Sequence, residues 1–383
     1  MIPSLRILIS GGGTGGHIFP AIAIADALRR LRAEANILFV GANGRMEMER
    51  VPAAGYPIVG VDIAGLQRGW SWDSLRRNAA LPLKLWRSWR QARRIVRDFR
   101  PNVVVGTGGY ASWAVLRVAQ QMGIPTLIQE QNSYAGLTNR LLAKRAKRIC
   151  VAYEGMDRYF PADRLVLTGN PVRSDFLHLS AKRSEGRSFY GLSDDRRLLA
   201  VVGGSLGART LNEAMARNTA LLAQQPNLQV VWQCGRFYEQ HYRSCATAQL
   251  PHVRLCAFIE RMDLLYAAAD VVVARAGALT VSELAVAEKP AILVPSPNVA
   301  EDHQTRNAQA LVDQGAALLI PDALAPEQLV PEALSLLASS ERRDALRQSI
   351  RRLARPNAAE TIACEVLRLC SHTADPSPIA ERT

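Results

Sequence analysis

The 383-residue chain is short of the residues that several chemistries require. Its six cysteines (Cys150, Cys234, Cys245, Cys256, Cys364 and Cys370) form no C-x-x-C pair and no metal-ligand spacing. A disulfide framework is therefore not expected, and a reduced cytoplasmic compartment is the simple reading. No apolar stretch approaches the length of a membrane span, and the chain passes directly into its first strand. The protein is thus expected to lack a signal peptide and to be soluble, or to rest on a membrane without crossing it. No Asp-x-Asp pair stands near a suitable strand, so a bound divalent metal is not needed; no cofactor is expected either. Aromatic residues make up only 6% of a chain that is 48% hydrophobic, a composition that suits an α/β globular protein. The length suits two domains of ordinary size.

What is present begins with Gly11-Gly12-Gly13-Thr14-Gly15-Gly16-His17, between the apolar run Ile7–Ile9 and a helical pattern from Ile18 to Leu31. A strand, a glycine turn and a helix start make an anion site, because backbone N–H groups and the helix dipole face one spot. An imidazole then stands at its mouth. Gly11, Gly13 and Gly16 also satisfy the dinucleotide pattern G-x-G-x-x-G, which raises a nicotinamide-dependent oxidoreductase. That reading wants an acid at the end of the second strand to hold a ribose. The strand at 36–40 instead runs into Gly41-Ala42-Asn43-Gly44-Arg45. A Walker loop fails as well, since no Lys-Ser or Lys-Thr follows the glycines.

Two further strand–glycine–helix junctions follow, at Gly106-Thr107-Gly108-Gly109 and at Gly203-Gly204-Ser205-Leu206-Gly207. Apolar strands alternate with helical stretches throughout, which favours parallel sheets covered on both faces. Repeated turns of this kind imply extended anionic ligands held by two similar halves.

Charge divides the same halves. The net charge is +13, and residues 1–175 carry 25 Lys and Arg against 12 Asp and Glu, while the remainder carries 22 of each sign. The excess lies entirely in the first half and points to an anionic surface for that domain alone. From Leu85 to Phe99 a helical wheel gathers Leu85, Trp89, Ala92, Ile95, Val96 and Phe99 on one side, and Arg87, Arg90, Arg93, Arg94 and Arg97 on the other. Trp70, Trp72, Leu75, Leu81, Leu83 and Trp86 crowd the approach, interleaved with Arg68, Arg76, Arg77 and Lys84. Tryptophan and leucine beside clustered arginine suit an anionic bilayer interface, whereas no nucleic-acid-binding motif appears.

In the second half, Ser205 offers a hydroxyl at a helix start, suited to a diphosphate oxygen. Arg275-Ala276-Gly277-Ala278-Leu279-Thr280-Val281-Ser282-Glu283 again joins strand to helix, and the Glu283 carboxylate can accept from both hydroxyls of a ribose. Gln304 and Asn307 share a helix face at i, i+3 and suit sugar hydroxyls.

These segments, with Gln129-Glu130-Gln131-Asn132 and Gly169-Asn170-Pro171-Val172-Arg173, resemble the MurG family of bacterial glycosyltransferases. The resemblance runs in order to about residue 370. It implies a GT-B fold, two Rossmann-like α/β domains with parallel sheets facing a cleft. Residues 1–170 would form an acceptor-binding, membrane-associated domain and residues 171–355 a UDP-GlcNAc-binding domain. A helix at 356–372 would cross back to the first domain, and residues 373–383 would be a disordered tail. The resemblance places Thr14, Gly15, Gly16 and Asn132 around the donor sugar and diphosphate. Arg173 and Ile259 would border the nucleotide, and Ser205 would bind phosphate. Ala278, Leu279, Thr280, Val281 and Ser282 would supply a helix N-terminus, Glu283 would hold the ribose, and Gln304 and Asn307 would reach sugar hydroxyls. One departure is His303-Gln304, where some members carry Gln-Gln.

The implied reaction is inverting transfer of GlcNAc from UDP-GlcNAc to the 4-hydroxyl of MurNAc in lipid I. It would occur at the cytoplasmic face of the bacterial inner membrane, with cell-wall synthesis and division proteins as candidate partners. His17, a residue type whose unperturbed pKa lies near 6.5, is the first candidate for general base and Glu130 the second. A UDP-GlcNAc hydrolase or epimerase could share the fold and the donor pocket.

Overall fold

The computed structural model describes residues 5–62, 81–177, 179–204, 206–225, 227–299 and 302–371. Two compact units result: residues 1–173 with 357–383, and residues 174–356.

The first unit is a seven-stranded sheet, paired in parallel throughout. Its strands are β1 (Arg6–Gly11), β2 (Asn36–Ala42), β3 (Ile58–Val61), β4 (Val103–Gly108), β5 (Thr126–Glu130), β6 (Arg148–Val151) and β7 (Leu165–Leu167), in the order β3-β2-β1-β4-β5-β6-β7. Its helices in this stretch are α1 (Gly15–Leu31), α2 (Glu47–Ala53), α3 (Leu81–Phe99), α4 (Gly109–Gln121) and α5 (Leu137–Ala143). The strands are runs of Val, Ile and Leu because both faces are covered. Ile7 and Ile9 enter one core, while Leu8 and Val104 enter the other with residues of α3, α4 and α5. The helix read from the arginine pattern forms as α3: Ala92 and Val96 are fully buried, and Arg87, Arg90, Arg93, Arg94 and Arg97 are exposed.

The second unit repeats the plan with six parallel strands, β8 (Arg197–Val202), β9 (Leu228–Gln233), β10 (Val253–Cys256), β11 (Val271–Ala274), β12 (Ala291–Leu293) and β13 (Leu318–Leu319). Their order is β10-β9-β8-β11-β12-β13. Around them run α6 (Arg183–Phe189), α7 (Arg209–Arg217), α8 (Thr219–Ala223), α9 (Glu239–Arg243), α10 (Met262–Ala268), α11 (Ala278–Val286), α12 (His303–Val312), α13 (Ala325–Ala338) and α14 (Ser340–Leu353). The start of this unit is fastened by Asp263, whose buried carboxylate accepts from Lys182 Nζ at 3.2 Å and from Arg261 at 2.8 and 2.9 Å.

The last helix, α15 (Ala358–Ser371), belongs to the first unit and packs on α1. Ala359, Ile362, Ala363, Val366 and Cys370 enter the core beneath α1. Its buried Glu365 pairs with Arg148 of β6 at 3.2 Å.

Both sheets reverse their order once, between β1 and β4 and between β8 and β11. At such a switch point the loops after the two strands diverge and leave a crevice for ligands at the strands' carboxyl ends. All three glycine turns and the Arg275 turn leave from these strands.

Candidate active site

At the first switch point the turns after β1 and β4 interlock. Gly108 and Gly109 take φ of +105° and +86°, which favours glycine. A Cβ on Gly109 would come within 2.5 Å of the Gly12 carbonyl oxygen, and one on Gly108 within 3.0 Å of His17 Nε2. The His17 ring therefore lies against a backbone stripped of side chains. Thr107 Oγ1 donates to the His17 carbonyl at 2.8 Å and ties the turns together.

His17 Nδ1 lies 3.0 Å from the Gly12 carbonyl oxygen and 3.4 Å from Thr14 Oγ1. A carbonyl can only accept, so in the neutral imidazole Nδ1 carries the proton and Nε2 carries the lone pair. That is the tautomer a base at Nε2 requires. Thr14 stands just before α1, and Gly15 and Gly16 open it, where amides lie beyond the reach of the helix's own carbonyls.

Glu130 ends β5 and is buried. Its Oε1 accepts from Asn132 N at 3.1 Å and Asn132 Nδ2 at 3.3 Å, and its Oε2 from Gly136 N at 3.0 Å and Asn139 Nδ2 at 2.8 Å. Both oxygens are occupied in shaping the loop from 130 to 139. Around it runs a buried amide network. Gln129 donates to Asn170 Oδ1, Asn170 donates to the Gln131 carbonyl, and Gln131 donates to the Thr107 carbonyl at 2.7 Å. This links the end of β5 and the Gly169-Asn170-Pro171 segment to the turn that holds His17. Arg173, half-buried, ends this part of the unit.

At the second switch point Gly207, with φ +78°, packs so closely on the Cys234 carbonyl that a Cβ would overlap it. Ser205 lies outside the described residues. Ala278 to Glu283 form the first turns of α11; Ala278 and Val281 are buried, and Leu279, Thr280, Ser282 and Glu283 are half-buried. Gln304 Oε1 accepts from Ser296 N at 2.8 Å, and Asn307 is fully buried with Nδ2 at 3.3 Å from the Ala276 carbonyl. Ile259 is buried beyond β10.

Residues that the sequence reading left without a role hold these turns. Glu47, fully buried at the start of α2, accepts from Gly13 N at 3.1 Å and Ala42 N at 3.0 Å. Gln233, buried at the end of β9, accepts from Gly203 N at 2.9 Å and donates to the Gly204 carbonyl at 2.9 Å and the Ala257 carbonyl at 3.2 Å. Arg275 pairs with Asp322 and donates to the carbonyls of Val294 and Pro295 at 3.1 Å each. A polar residue closing an apolar strand was the available signal for Gln233. Glu47 reads from sequence only as an acid in a helical first turn.

Two doubly wound units with glycine turns at both switch points define the class of fold, GT-B. The N-terminal and C-terminal domain models of glycosyltransferase family 28 match residues 7–151 and 198–362. A UDP-N-acetylglucosamine–N-acetylmuramyl-(pentapeptide) pyrophosphoryl-undecaprenol N-acetylglucosamine transferase of Bacteroides fragilis is 50% identical over 372 residues, 97% of each chain. The crystal structure of Acinetobacter baumannii MurG is similar with a TM-score of 0.75 and 30% identity, over 96% of this chain and 100% of that one. A UDP-GlcNAc 2-epimerase from Neisseria meningitidis shares the fold (TM-score 0.67, 13% identity, 95% of this chain and 100% of that one). The chain belongs to the MurG family of N-acetylglucosamine transferases.

Proposed function

We propose that this enzyme moves GlcNAc from UDP-GlcNAc to the 4-hydroxyl of MurNAc in undecaprenyl-pyrophosphoryl-MurNAc-pentapeptide, giving lipid II for peptidoglycan. The observation that carries the mechanism is the His17 Nδ1–H bond to the Gly12 carbonyl, which leaves the Nε2 lone pair as the proton acceptor. The acceptor oxygen attacks the anomeric carbon on the face opposite UDP. The bond from that carbon to the diphosphate oxygen breaks, its electron pair leaves with UDP, and configuration inverts from α to β. The hydroxyl proton passes to His17 Nε2 and then to solvent.

Charge on the departing diphosphate is met by Ser205 and the backbone amides that open α11, preorganised donors at a helix N-terminus. Glu283 holds the ribose, Arg173 and Ile259 border the nucleotide, and Gln304 faces sugar hydroxyls. Thr14, Gly15, Gly16 and Asn132 border the donor sugar. Full burial suits Asn307 to holding the Ala276 turn, and the four donors on Glu130 suit it to shaping the loop that carries Asn132.

The same reading seats the first unit on an anionic bilayer, as a peripheral protein at the cytoplasmic face. Supporting it, α3 exposes five arginines with Trp86 at 51% exposure, and Arg90 stacks on the Trp86 ring at 4.7 Å. On α5, Leu137 and Leu141 are 61% and 59% exposed among Arg140, Lys144 and Arg145, and no acid occurs between residues 131 and 153. No helix among the described residues is long and apolar enough to cross a membrane. Trp70, Trp72 and Leu75 lie outside the described residues, as do the side chains of Leu81 and Leu83.

Transfer of labelled GlcNAc to a lipid I analogue tests the reaction. Product from the wild type, with a loss of about 10²-fold or more in kcat for His17→Ala, is expected. A comparable loss in Glu130→Gln with intact His17→Ala would move the base to Glu130. UDP release from donor alone, without transfer, would favour a hydrolase or epimerase. Co-sedimentation with vesicles rich in anionic lipid, weakened by pairing Arg90→Glu with Arg94→Glu, tests the surface.

A further inference from the structure

We infer that Glu47 is a positioning residue for the transfer step, acting through His17; the inference rests on His17 being the general base. Glu47 makes no contact that requires it to meet substrate, because its side chain is fully enclosed beneath the first glycine turn. Each carboxylate oxygen takes one backbone N–H, Oε2 from Gly13 and Oε1 from Ala42 at the end of β2. The fit is close on both sides. A Cβ on Gly12 would overlap the carboxylate, and a Cβ on Gly41 would lie 2.5 Å from Glu47 Cγ. Gly12 is the residue whose carbonyl receives the His17 Nδ1–H. The peptide unit between Gly12 and Gly13 therefore has its two ends committed, the N–H to Glu47 and the C=O to His17.

A peptide plane turns as one body. Glu47, by holding the Gly13 N–H, fixes the direction of the Gly12 carbonyl, and that carbonyl fixes which imidazole nitrogen keeps its proton. Glycine at 12 and 13 permits the close approach but resists no rotation, so the plane needs an external anchor. A carboxylate suits two convergent donors, whereas a primary amide of the same size would aim an N–H at one of them.

The test is a cycle of four proteins: wild type, Glu47→Gln, His17→Ala and the double variant. Transfer kinetics are measured with a lipid I analogue, and melting temperature alongside. Glu47→Gln is expected to lower kcat by about 10- to 100-fold, the scale of a misplaced catalytic group, with the UDP-GlcNAc KM within about 2-fold of wild type. In the His17→Ala background the same substitution is expected to change kcat by less than about 2-fold, because the group it positions is gone. Side-chain 15N spectra should show the proton on Nδ1 of His17 in the wild type and a mixture of tautomers in Glu47→Gln. An equal loss in both backgrounds, or an unchanged His17 tautomer, would overturn the inference and leave the base reading standing. Full activity in His17→Ala would remove the base reading and this inference with it. Should Glu47→Gln melt too low to assay, Gly41→Ala, which pushes on the same side chain from β2, is read in the same cycle and on the same criteria.

Discussion

The two glycine turns that follow β1 and β8 occupy the same place in their sheets yet are braced by opposite chemistry. Beneath the first sits a carboxylate, Glu47, which takes two N–H donors and gives none. Beneath the second sits an amide, Gln233, which takes one N–H and gives two. The proposed mechanism gives this difference a reason in what each turn would face. An anion beneath a loop that cradles a diphosphate would repel its ligand through a few ångströms of low-dielectric protein, so a neutral brace suits the second unit. Beneath a turn that orients an imidazole, negative charge is tolerated and the double acceptor supplies rigidity. Under the proposed mechanism, one fold plan would serve a proton-handling turn and a phosphate-binding turn with a single exchange of brace.

The comparison can be broken most severely at the glycines. Gly109→Ala would press a methyl against the Gly12 carbonyl at positive φ, and Gly207→Ala would do the same against Cys234. Each is expected to destabilise its own unit by about 2–4 kcal/mol, read as a lowered unfolding midpoint. Equal tolerance of alanine at both positions would mean that neither turn is held as tightly as its contacts imply. A finer probe exchanges the brace. Gln233→Glu is expected to raise the UDP-GlcNAc KM by about 10-fold while kcat changes less. A kcat loss with constant KM would erase the distinction between the turns.

The smallest effect concerns acid. Burial pushes the Asp263 carboxyl up, but the Arg261 and Lys182 bonds outweigh it and hold the group at about 2, below its ordinary 3.8. A depressed carboxyl stabilises above its unfolded value, and that stability is lost as pH falls through the folded one. The contribution of Asp263 should therefore be constant above about pH 4 and fall by on the order of 2 kcal/mol toward pH 2. Asp263→Asn should flatten that slope, as measured by denaturant titration at each pH. An unchanged slope would place the acid sensitivity elsewhere.

The strands and the turns after them were legible in the sequence because their signals are local. Apolar runs such as Val103–Val105 and Val271–Ala274, each ending in glycine or a small residue, specify a buried parallel strand and its exit over a few residues. The arginine face of α3 was legible for the same reason, since periodicity is a property of neighbours. Glu47 and Gln233 were not, because they stand 34 and 30 residues from the turns they hold. An acid opening a helix and a glutamine closing a strand carry no mark of their distant partners. Glu130 shows the converse. Its motif was visible, and its service to Asn132, Gly136 and Asn139 was not.

By itself, then, the sequence determined the alternation of strand and helix, the positions of the glycine turns, the confinement of positive charge to one half, and the family resemblance that joins them. Tertiary structure decided which turns meet at each switch point, which imidazole nitrogen keeps its proton, and which acid is a brace. Periodicity and turn chemistry act between residues a few positions apart, so they are written along the chain. Hydrogen bonds between a buried side chain and a remote peptide plane exist only once packing has brought the two together and excluded water from between them.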